Sequence, residues 1–367
     1  MRLLLSIVSE IIVRLDVHLG LLHRASEKLA EYRVWSKVIY FFDRLDYVSI
    51  FSQEEVFIGS LEQVFMIEYY RSFGVYRILF NELTRVLNHL LAFSCHLADL
   101  GAVSPLLWCF EDRERIFEMF ERFTGVRMHV GTGRLDCFNR SNFYMISLDC
   151  IWVLKNLSNK FTESLLMLTL RILLARLIDV GVYDLFEAIL FAFSGPLLRS
   201  VGLAWDLRLD CVIYFMLTVK VIFAIIGDSY DRLVLRVLEC AEAIRISFTC
   251  LVLLIGNSNI LKTSCRVTSE HKWILFTSME SLLFSFLQQL RIINGCCLQL
   301  SMNVFEVPKG EMCNFIMMIS VLLFRCRIRS CGFINLAVIG FLVSGLLLSD
   351  LVVLIGTIDV VFGEVDR

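Results

Sequence analysis

At 367 residues the chain has room for one large domain or two ordinary ones. A formal net charge of -2 excludes the strongly basic surface that general nucleic-acid binders turn to a phosphate backbone. The 57% hydrophobic content and mean hydropathy of +0.71 are those of a membrane protein, yet charges recur every few positions through the first third, which a lipid-facing bundle does not tolerate.

In chain order, Met1 to Ser9 carries a brief apolar run that Glu10 closes, with no small-residue cleavage site behind it, so no targeting segment is expected. Arg2 to Leu15 alternates well enough for a strand or hairpin. The spacing predicts a helix over Leu21 to Phe41, with Leu22, Leu29, Tyr32 and Val38 among its apolar positions, and a noisier one over Gln53 to Tyr70. The clearest helix runs from Tyr76 to Leu100: Leu79, Leu83, Val86, Leu87, Leu90 and Leu91 recur at three- and four-residue steps, Glu82 and Arg85 can pair, and Gly101 is a stop signal. Pro105 to Thr124 presents Ile116, Phe117, Phe120 and Phe123 on one side and ends at Gly125. Helices continue beyond Ser141, punctuated at Asp179-Val-Gly181 and Phe193-Ser-Gly195, with further helices expected over Asp228 to Cys250 and Thr277 to Leu290.

Val304 to Arg329 reads as strands around Pro308-Lys-Gly310. Cys331 to Ser349 is free of charge and approaches bilayer-spanning length, but Gly332, Asn335, Gly340, Ser344 and Gly345 suit a tightly packed interior. The fold class expected is α+β, mainly helical, with a long-helix bundle core and small peripheral β-sheets. Its greasy faces call for cover by other chains.

The 13 cysteines are odd in number and none shows Cys-x-x-Cys spacing; Cys296 and Cys297 are adjacent, and Cys326 and Cys331 are five apart. A self-contained zinc or iron–sulfur site and a disulfide framework are both unexpected, and buried reduced thiols are the expected use. No metal site is assigned to this chain.

Three groups of residues could carry chemistry. Tyr47, in Phe42-Asp-Arg-Leu-Asp-Tyr-Val-Ser49, offers a phenol that can donate a hydrogen bond and a proton, although a tyrosine beside Asp46 is more often a core or capping residue. His96 and Asp99, near the end of the clearest helix, are a potential acid–base pair, set against a plain polar cluster at a helix C-terminus. Arg24, Arg44 and His129 could stabilise negative charge; taken singly, each arginine reads as a surface salt bridge. The dipeptide pattern Gly131-x-Gly133 is a very weak phosphate-loop signal.

Three motif blocks carry a resemblance: His18-Leu-Gly-Leu-Leu-His-Arg24 with Glu27-Lys28, then Phe42 to Ser49, and the tail Ile355-Gly-Thr-Ile-Asp-Val-Val-Phe-Gly-Glu-Val-Asp-Arg367. They resemble the quinone-site subunit of respiratory complex I, the 49-kilodalton or NADH dehydrogenase subunit 7 family. Trp205-Asp-Leu-Arg208, Gly227-Asp-Ser-Tyr-Asp-Arg232, Thr277-Ser-Met-Glu280 and Glu306-Val-Pro-Lys-Gly-Glu311 look like further family blocks of a structural kind. The resemblance implies strand-rich lobes around long helices, a core similar to the large subunit of nickel–iron hydrogenases, and a core subunit of a proton-pumping NADH:ubiquinone oxidoreductase. The chain would not bind NADH itself, since no dinucleotide fingerprint is present.

By the same resemblance Tyr47 would hydrogen-bond the ubiquinone headgroup, and Asp99 would partner a quinone-binding histidine and join a proton path. Ser49, His96, Asp359 and Val361 would lie near the quinone pocket. Arg24, Arg44 and His129 would surround a four-iron four-sulfur cluster held by a neighbouring subunit, with His129 tied to its redox-linked protonation. The other partners implied are the remaining complex I subunits, which attach the chain to the matrix side of the mitochondrial inner membrane. Residues 1–20 would be a remnant of an N-terminal strand region and 21–367 a single functional domain.

Two departures stand out. The family's His-Pro-Ala-Ala-His-Gly loop, which lies upstream of the strand matched by Arg2-Leu-Leu-Leu, is not present, so a separate chain supplying it is expected. The Arg-Pro-Gly-Gly loop is replaced by Val130-Gly-Thr-Gly-Arg134, which leaves open a structural remnant with weakened quinone chemistry.

Overall fold

The longest helices form where the apolar stripe is most regular. In a computed structural model of the protein, which describes residues 2–65, 71–129, 143–169, 171–256, 278–280, 282–283, 299–319 and 322–367, α4 (Arg71–Asp99) spans 29 residues, or about 43 Å at the rise of an α-helix. Leu79, Leu83, Val86 and Leu87 of its stripe are fully buried. Its most extensive helix partner is α10 (Ser229–Gly256), with α5 (Val103–Thr124) packed on α4 and α6 (Phe143–Leu168) on α5 and α10. Gly101 (φ 96°) and Gly125 (φ 79°) stop α4 and α5; the Gly125 N–H donates to the Glu121 carbonyl at 2.8 Å.

The N-terminal residues form a hairpin, β1 (Arg2–Val8) and β2 (Ile11–His18), whose two turn residues Ser9 and Glu10 both take positive φ, as a two-residue turn between twisted strands requires. β2 is tied to the C-terminal part of the chain: the Ile12 N–H donates to the Leu346 carbonyl and the Gly345 N–H to the Ile12 carbonyl, each at 2.9 Å.

The single helix expected over Leu21 to Phe41 is not formed. Instead α1 (Ser26–Glu31) and α2 (Trp35–Phe42) are separate, and Gly20 to Arg24 is a loop. The reason lies in backbone donors taken elsewhere: the Gly20 and Leu22 N–H groups donate to the Asp366 carboxylate at 3.0 and 2.8 Å, and the Arg24 N–H to the Arg367 carbonyl at 3.3 Å. Val34 is held in a β-bridge to Leu322, between α1 and α2. Leu29 and Tyr32 are exposed rather than core, and Val38 alone of the four expected apolar positions is buried.

α3 (Ile50–Phe65) is noisy in sequence because its polar residues point inward. Glu55 and Glu62 grip the buried Arg77 of α4 at 2.6 and 2.8 Å. Behind it, α4 and α10 carry a second buried ion cluster. Arg199 reaches Glu239 (2.8 Å) and Glu306 (3.0 Å), Arg208 pairs with Asp206 (2.7 Å) and Glu82 (3.3 Å), and the Tyr214 hydroxyl donates to Glu82 at 2.6 Å. These are paired buried charges; breaking one partner is costly even where the pair itself adds little net stability.

Between α6 and α10, α7 (Arg171–Leu177), α8 (Leu185–Leu190) and α9 (Pro196–Arg199) are short and broken at the expected points, Asp179 (φ 62°) and Gly195 (φ 66°). β3 (Gln299–Val307), β4 (Gly310–Ile319) and β5 (Leu322–Arg329) form an antiparallel meander that packs on α3, with Pro308 and Lys309 as the two-residue turn between β3 and β4. The charge-free Cys331 to Ser349 stretch breaks into α11 (Cys331–Ala337) and α12 (Ile339–Val343); among the described residues no helix is long and apolar enough to cross a membrane. The chain ends in α13 (Leu348–Ile358) and α14 (Phe362–Asp366).

The protein is therefore mainly helical α+β, as expected, with small antiparallel sheets at the periphery. Most of the helix expected over Thr277 to Leu290, the Val130–Asp136 loop with Arg134, and Cys296–Cys297 lie outside the described residues. The nine described cysteines are free thiols, six of them buried.

Candidate functional site

The turn between α2 and α3, Asp43 to Ser49, is organised by Asp46. This carboxylate is fully buried and accepts the Val48 N–H (3.2 Å) and the Ser49 hydroxyl (2.5 Å) within its own turn, and the Lys309 ammonium at 2.8 Å from the β3–β4 turn. Three donors on one carboxylate fix the backbone on either side of Tyr47, which projects from the turn 42% exposed. Tyr47 is thus a phenol on a rigid mount, while Ser49 is a buried part of that mount.

Lys309 is a lysine at a hairpin apex, a position usually left in water, and here it is buried. Burial alone would lower its pKa, but Asp46, with Asp359 and Glu364 behind it, outweighs that and holds the lysine charged. Glu364, on α14, is buried with neither carboxyl oxygen meeting a hydrogen-bond partner among the described residues. Burial first, then the Asp46 and Asp359 charges against the pull of Lys309, raise it to about 8. One cation therefore faces three carboxyls, and Glu364 is the member poised to exchange a proton near neutral pH.

His96 and Asp99 sit three residues apart on the last turn of α4, against α13. Gly356 makes this contact possible: a Cβ there would lie 3.2 Å from His96 Cδ2 and 3.3 Å from Asp99 Oδ2. His96 is fully buried and its ring nitrogens meet no hydrogen-bond partner among the described residues. Burial, then the Arg236 and Arg232 charges, push its pKa down to about 3, so it is a neutral imidazole. Burial raises the Asp99 carboxyl. The two therefore share a surface without forming a charged pair.

Asp359 terminates α13 in the left-handed region (φ 54°) and accepts the Asn88 side-chain amide at 2.8 Å, which ties the tail to the middle of α4. The Arg236 guanidinium donates to the Thr357 carbonyl, two residues before it. Val361 is buried just ahead of α14.

The tail also carries the arginines. Besides the contacts from Asp366 and Arg367 to the Gly20–Arg24 loop, the Ser26 N–H donates to the Arg367 carbonyl at 3.4 Å, and the Arg367 side chain reaches the Ile328 carbonyl (2.6 Å) and Glu27 (3.3 Å). Gly363 presses on the other loop: a Cβ there would lie 2.5 Å from the Leu45 carbonyl and 2.8 Å from that of Arg44. α14 is thus wedged between the turns that present Arg24 and Arg44, both exposed. His129 follows α5; burial and then the nearby Arg44 charge lower its pKa, so His129 and Arg44 share one electrostatic environment.

The structure joins Tyr47, Ser49 and Asp359 through Asp46 and Lys309, puts His96 and Asp99 on one surface, and brings Arg44 and His129 together. Sequence reading missed Asp46, Lys309, Glu364, Asn88 and Arg236 as parts of the site. Glu306-Val-Pro-Lys-Gly-Glu311 contained the signal for Lys309, since a turn of this kind needs no lysine, but its partner Asp46 lies more than 260 residues away in sequence. Among the described residues no group of three or more His, Cys, Asp or Glu could hold a metal ion. Exposed arginines and a partly buried imidazole suit the flank of an anionic group held by another chain and offer no ligand set of their own.

Comparison with known proteins places the chain as a whole. A family model described as the 49 kDa subunit of respiratory-chain NADH dehydrogenase matches residues 99–367. A 49 kDa subunit of NADH-ubiquinone oxidoreductase from Cafeteria roenbergensis is 37% identical over 380 residues, covering 100% of this chain and 93% of its own. Iron-sulfur protein 2 of NADH dehydrogenase [ubiquinone] from Nephroselmis olivacea is 36% identical over 376 residues, with the same coverage. An NADH-quinone oxidoreductase subunit from Ehrlichia ruminantium is 37% identical over 372 residues, covering 100% of this chain and 94% of its own.

Proposed function

The chain belongs to the family of the 49 kDa subunit of respiratory-chain NADH dehydrogenase and is a subunit of an NADH:quinone oxidoreductase, and from this premise we propose that it forms the quinone-reduction chamber of a proton-pumping complex I. The substrate is ubiquinone, the quinone named in the eukaryotic relatives. The observation that carries the reading is the Asp43–Ser49 turn, where a triply held buried carboxylate leaves a half-exposed phenol as its projecting group.

Reduction of a quinone to a quinol consumes two electrons and two protons, so the chamber has to orient a carbonyl and deliver protons to both oxygens. Tyr47 donates a hydrogen bond to one carbonyl and strengthens it as negative charge builds on that oxygen. Asp46 and Lys309 hold the phenol in place, so little reorganisation accompanies the reaction. On the second side, His96 is a neutral donor or acceptor rather than a cation, and Asp99 is the carboxyl that can carry a proton. Asp359, fixed by Asn88, and Val361 border the same chamber.

Arg24, Arg44 and His129 would flank a four-iron four-sulfur cluster held by a partner subunit, and such a cluster would supply electrons to the quinone. The two arginines offer positive charge toward it, and His129 offers a titratable imidazole. Residues 21–367 act as one functional domain, with the N-terminal hairpin attached to it, on the matrix side of the mitochondrial inner membrane. The other complex I subunits cover the exposed apolar faces.

A photoreactive short-chain quinone added to the intact complex tests this reading. The expected result is labelling of peptides spanning residues 42–49 and 88–99 of this chain, suppressed by excess unlabelled quinone. Labelling confined to other subunits would leave the chain a structural member of the complex.

A further inference from the structure

The β3–β4–β5 sheet has two apolar faces and covers only one of them. On its inner face Phe305, Met312 and Ile316 are buried, and α3 packs there. An antiparallel sheet with one face covered ordinarily turns polar side chains out to water. Here the outward positions are apolar: Met302 stands across the ladder from Phe315, and Leu300 from Met317. Leu300 and Met302 are 58% and 59% exposed. Cross-strand partners share a face, so Arg325, Arg327 and Arg329 of β5, opposite Met317, Phe315 and Cys313, form a row along one border of this apolar strip. All three arginines are exposed.

Arg325 meets Glu31 at 3.2 Å, whereas among the described residues neither Arg327 nor Arg329 pairs with a carboxylate. A row of cations beside bare Leu and Met side chains calls for a partner that brings apolar surface and negative charge together. The edge of β5 is closed to an added strand: the Ile328 N–H donates to Glu27 (3.0 Å), its carbonyl accepts from Arg367 (2.6 Å), and Val34 bridges Leu322. The face is open. Two interstrand spacings make it about 10 Å wide, the diameter of one helix, and the nine residues of β3 make it about 30 Å long, the length of about 20 helical residues. α3, of 16 residues, fills the inner face in this way. Residues 257–298, which lead into β3, carry Lys262, Arg266, Lys272 and Arg291 against Glu270 and Glu280, so their net charge has the sign of the arginine row and does not complement it.

We propose that the outer face of the β3–β4–β5 sheet is the docking surface for one amphipathic helix of another protein, whose apolar stripe covers Leu300, Met302, Phe315 and Met317 and whose acidic flank meets Arg325, Arg327 and Arg329. The apolar strip supplies the area that is removed from water, and the arginine row fixes the direction and register of the helix. That the helix comes from a subunit of the same complex rests on the function proposed above. The surface itself does not, since it involves none of the residues assigned to the quinone.

Photocrosslinking in the intact complex, in its own membrane, tests the surface. With p-benzoylphenylalanine in place of the exposed Met302, the adduct is expected on a helical peptide of one partner chain that carries aspartate or glutamate beside an apolar stripe. Adducts on residues 257–298 of this chain, on lipid, on a partner peptide without acids, or on nothing would each overturn the proposal. Reversing Arg327→Glu and Arg329→Glu together sets like charges against the acidic flank and should lower the adduct yield roughly tenfold or more. Both side chains are exposed, so the sheet is expected to fold as before. Replacing the facing acids of the mapped helix with lysine should restore the yield in the reversed variant alone. A yield that ignores the reversal, or is not restored, would overturn the charge pairing and with it the proposed occupant. The adduct is read whether or not a quinone binds this chain, so its failure leaves the quinone reading standing, and failure of that reading leaves the adduct in place.

Discussion

Replacing Lys309 with methionine removes the cation that holds Asp46, and its effect can be worked out from the geometry. At 2.8 Å, two unit charges attract by about 6 kcal/mol at an effective dielectric constant near 20. Burying both ions costs several kcal/mol each, so the intact pair adds little net stability. Removing one member is different: Asp46 stays buried with two neutral donors, and breaking such a pair costs about 3–5 kcal/mol. The strain falls on the Asp43–Ser49 turn, where the Val48 N–H is bonded to Asp46. Hydrogen–deuterium exchange of peptides covering this turn, measured in the assembled complex, should accelerate by roughly two to four orders of magnitude, the factor implied by that free energy. Asp46→Asn in the same background should recover roughly 1–3 kcal/mol through the coupling between neighbours in one network. Parent-like exchange in Lys309→Met, or strictly additive effects of the two changes, would refute the reasoning.

Three further predictions concern the tail. Gly363→Ala brings a methyl group against the Leu45 and Arg44 carbonyls and should destabilise by about 1–3 kcal/mol, visible as a lower temperature of thermal inactivation, whereas Gly345→Ala is crowded by nothing nearby and acts only through its φ of 89°. Asp366→Asn weakens the acceptor that holds the Gly20 and Leu22 amides, and exchange of residues 19–26 should rise while that of α4 stays unchanged. Glu364 has a folded pKa of about 8, raised from 4.5, so the stability linked to its protonated form is complete below about pH 4.5 and is lost as pH rises through 8. Glu364→Gln should therefore flatten the loss of thermal stability between pH 6 and 9, and a profile parallel to that of the parent would count against a buried, protonated Glu364.

The long helices were legible in sequence because apolar spacing and a glycine stop agreed, as in α4 with Gly101 and α5 with Gly125. Where local pattern and tertiary demand diverge, the expectation failed. Leu21 to Phe41 has a tolerable helical stripe, but a carboxylate and a carbonyl more than 340 residues away take its first amides, and no window of sequence contains them both. α3 looked noisy because Glu55 and Glu62 serve a buried arginine rather than a solvent face. Among the site residues, Tyr47 stood out through its motif, whereas Lys309 did not, since its partner Asp46 meets it only when the β3–β4 turn is brought to the α2–α3 turn. His96 and Asp99 were paired by their spacing on one helix, and the structure adds that a glycine on another helix is what lets that helix pack against both, with His96 buried and Asp99 exposed.

Whether Tyr47 addresses the quinone is decided by quinone reduction in the intact complex carrying Tyr47→Phe, with assembly and NADH oxidation by an artificial acceptor followed alongside. The half-exposed phenol contributes no hydrogen bond to the Asp46 mount, so the change should leave assembly and artificial-acceptor activity intact. Quinone reduction should fall at least tenfold, the scale of a positioned proton donor. Quinone reduction at the parent rate in a fully assembled Tyr47→Phe complex would contradict a role for this phenol at the headgroup.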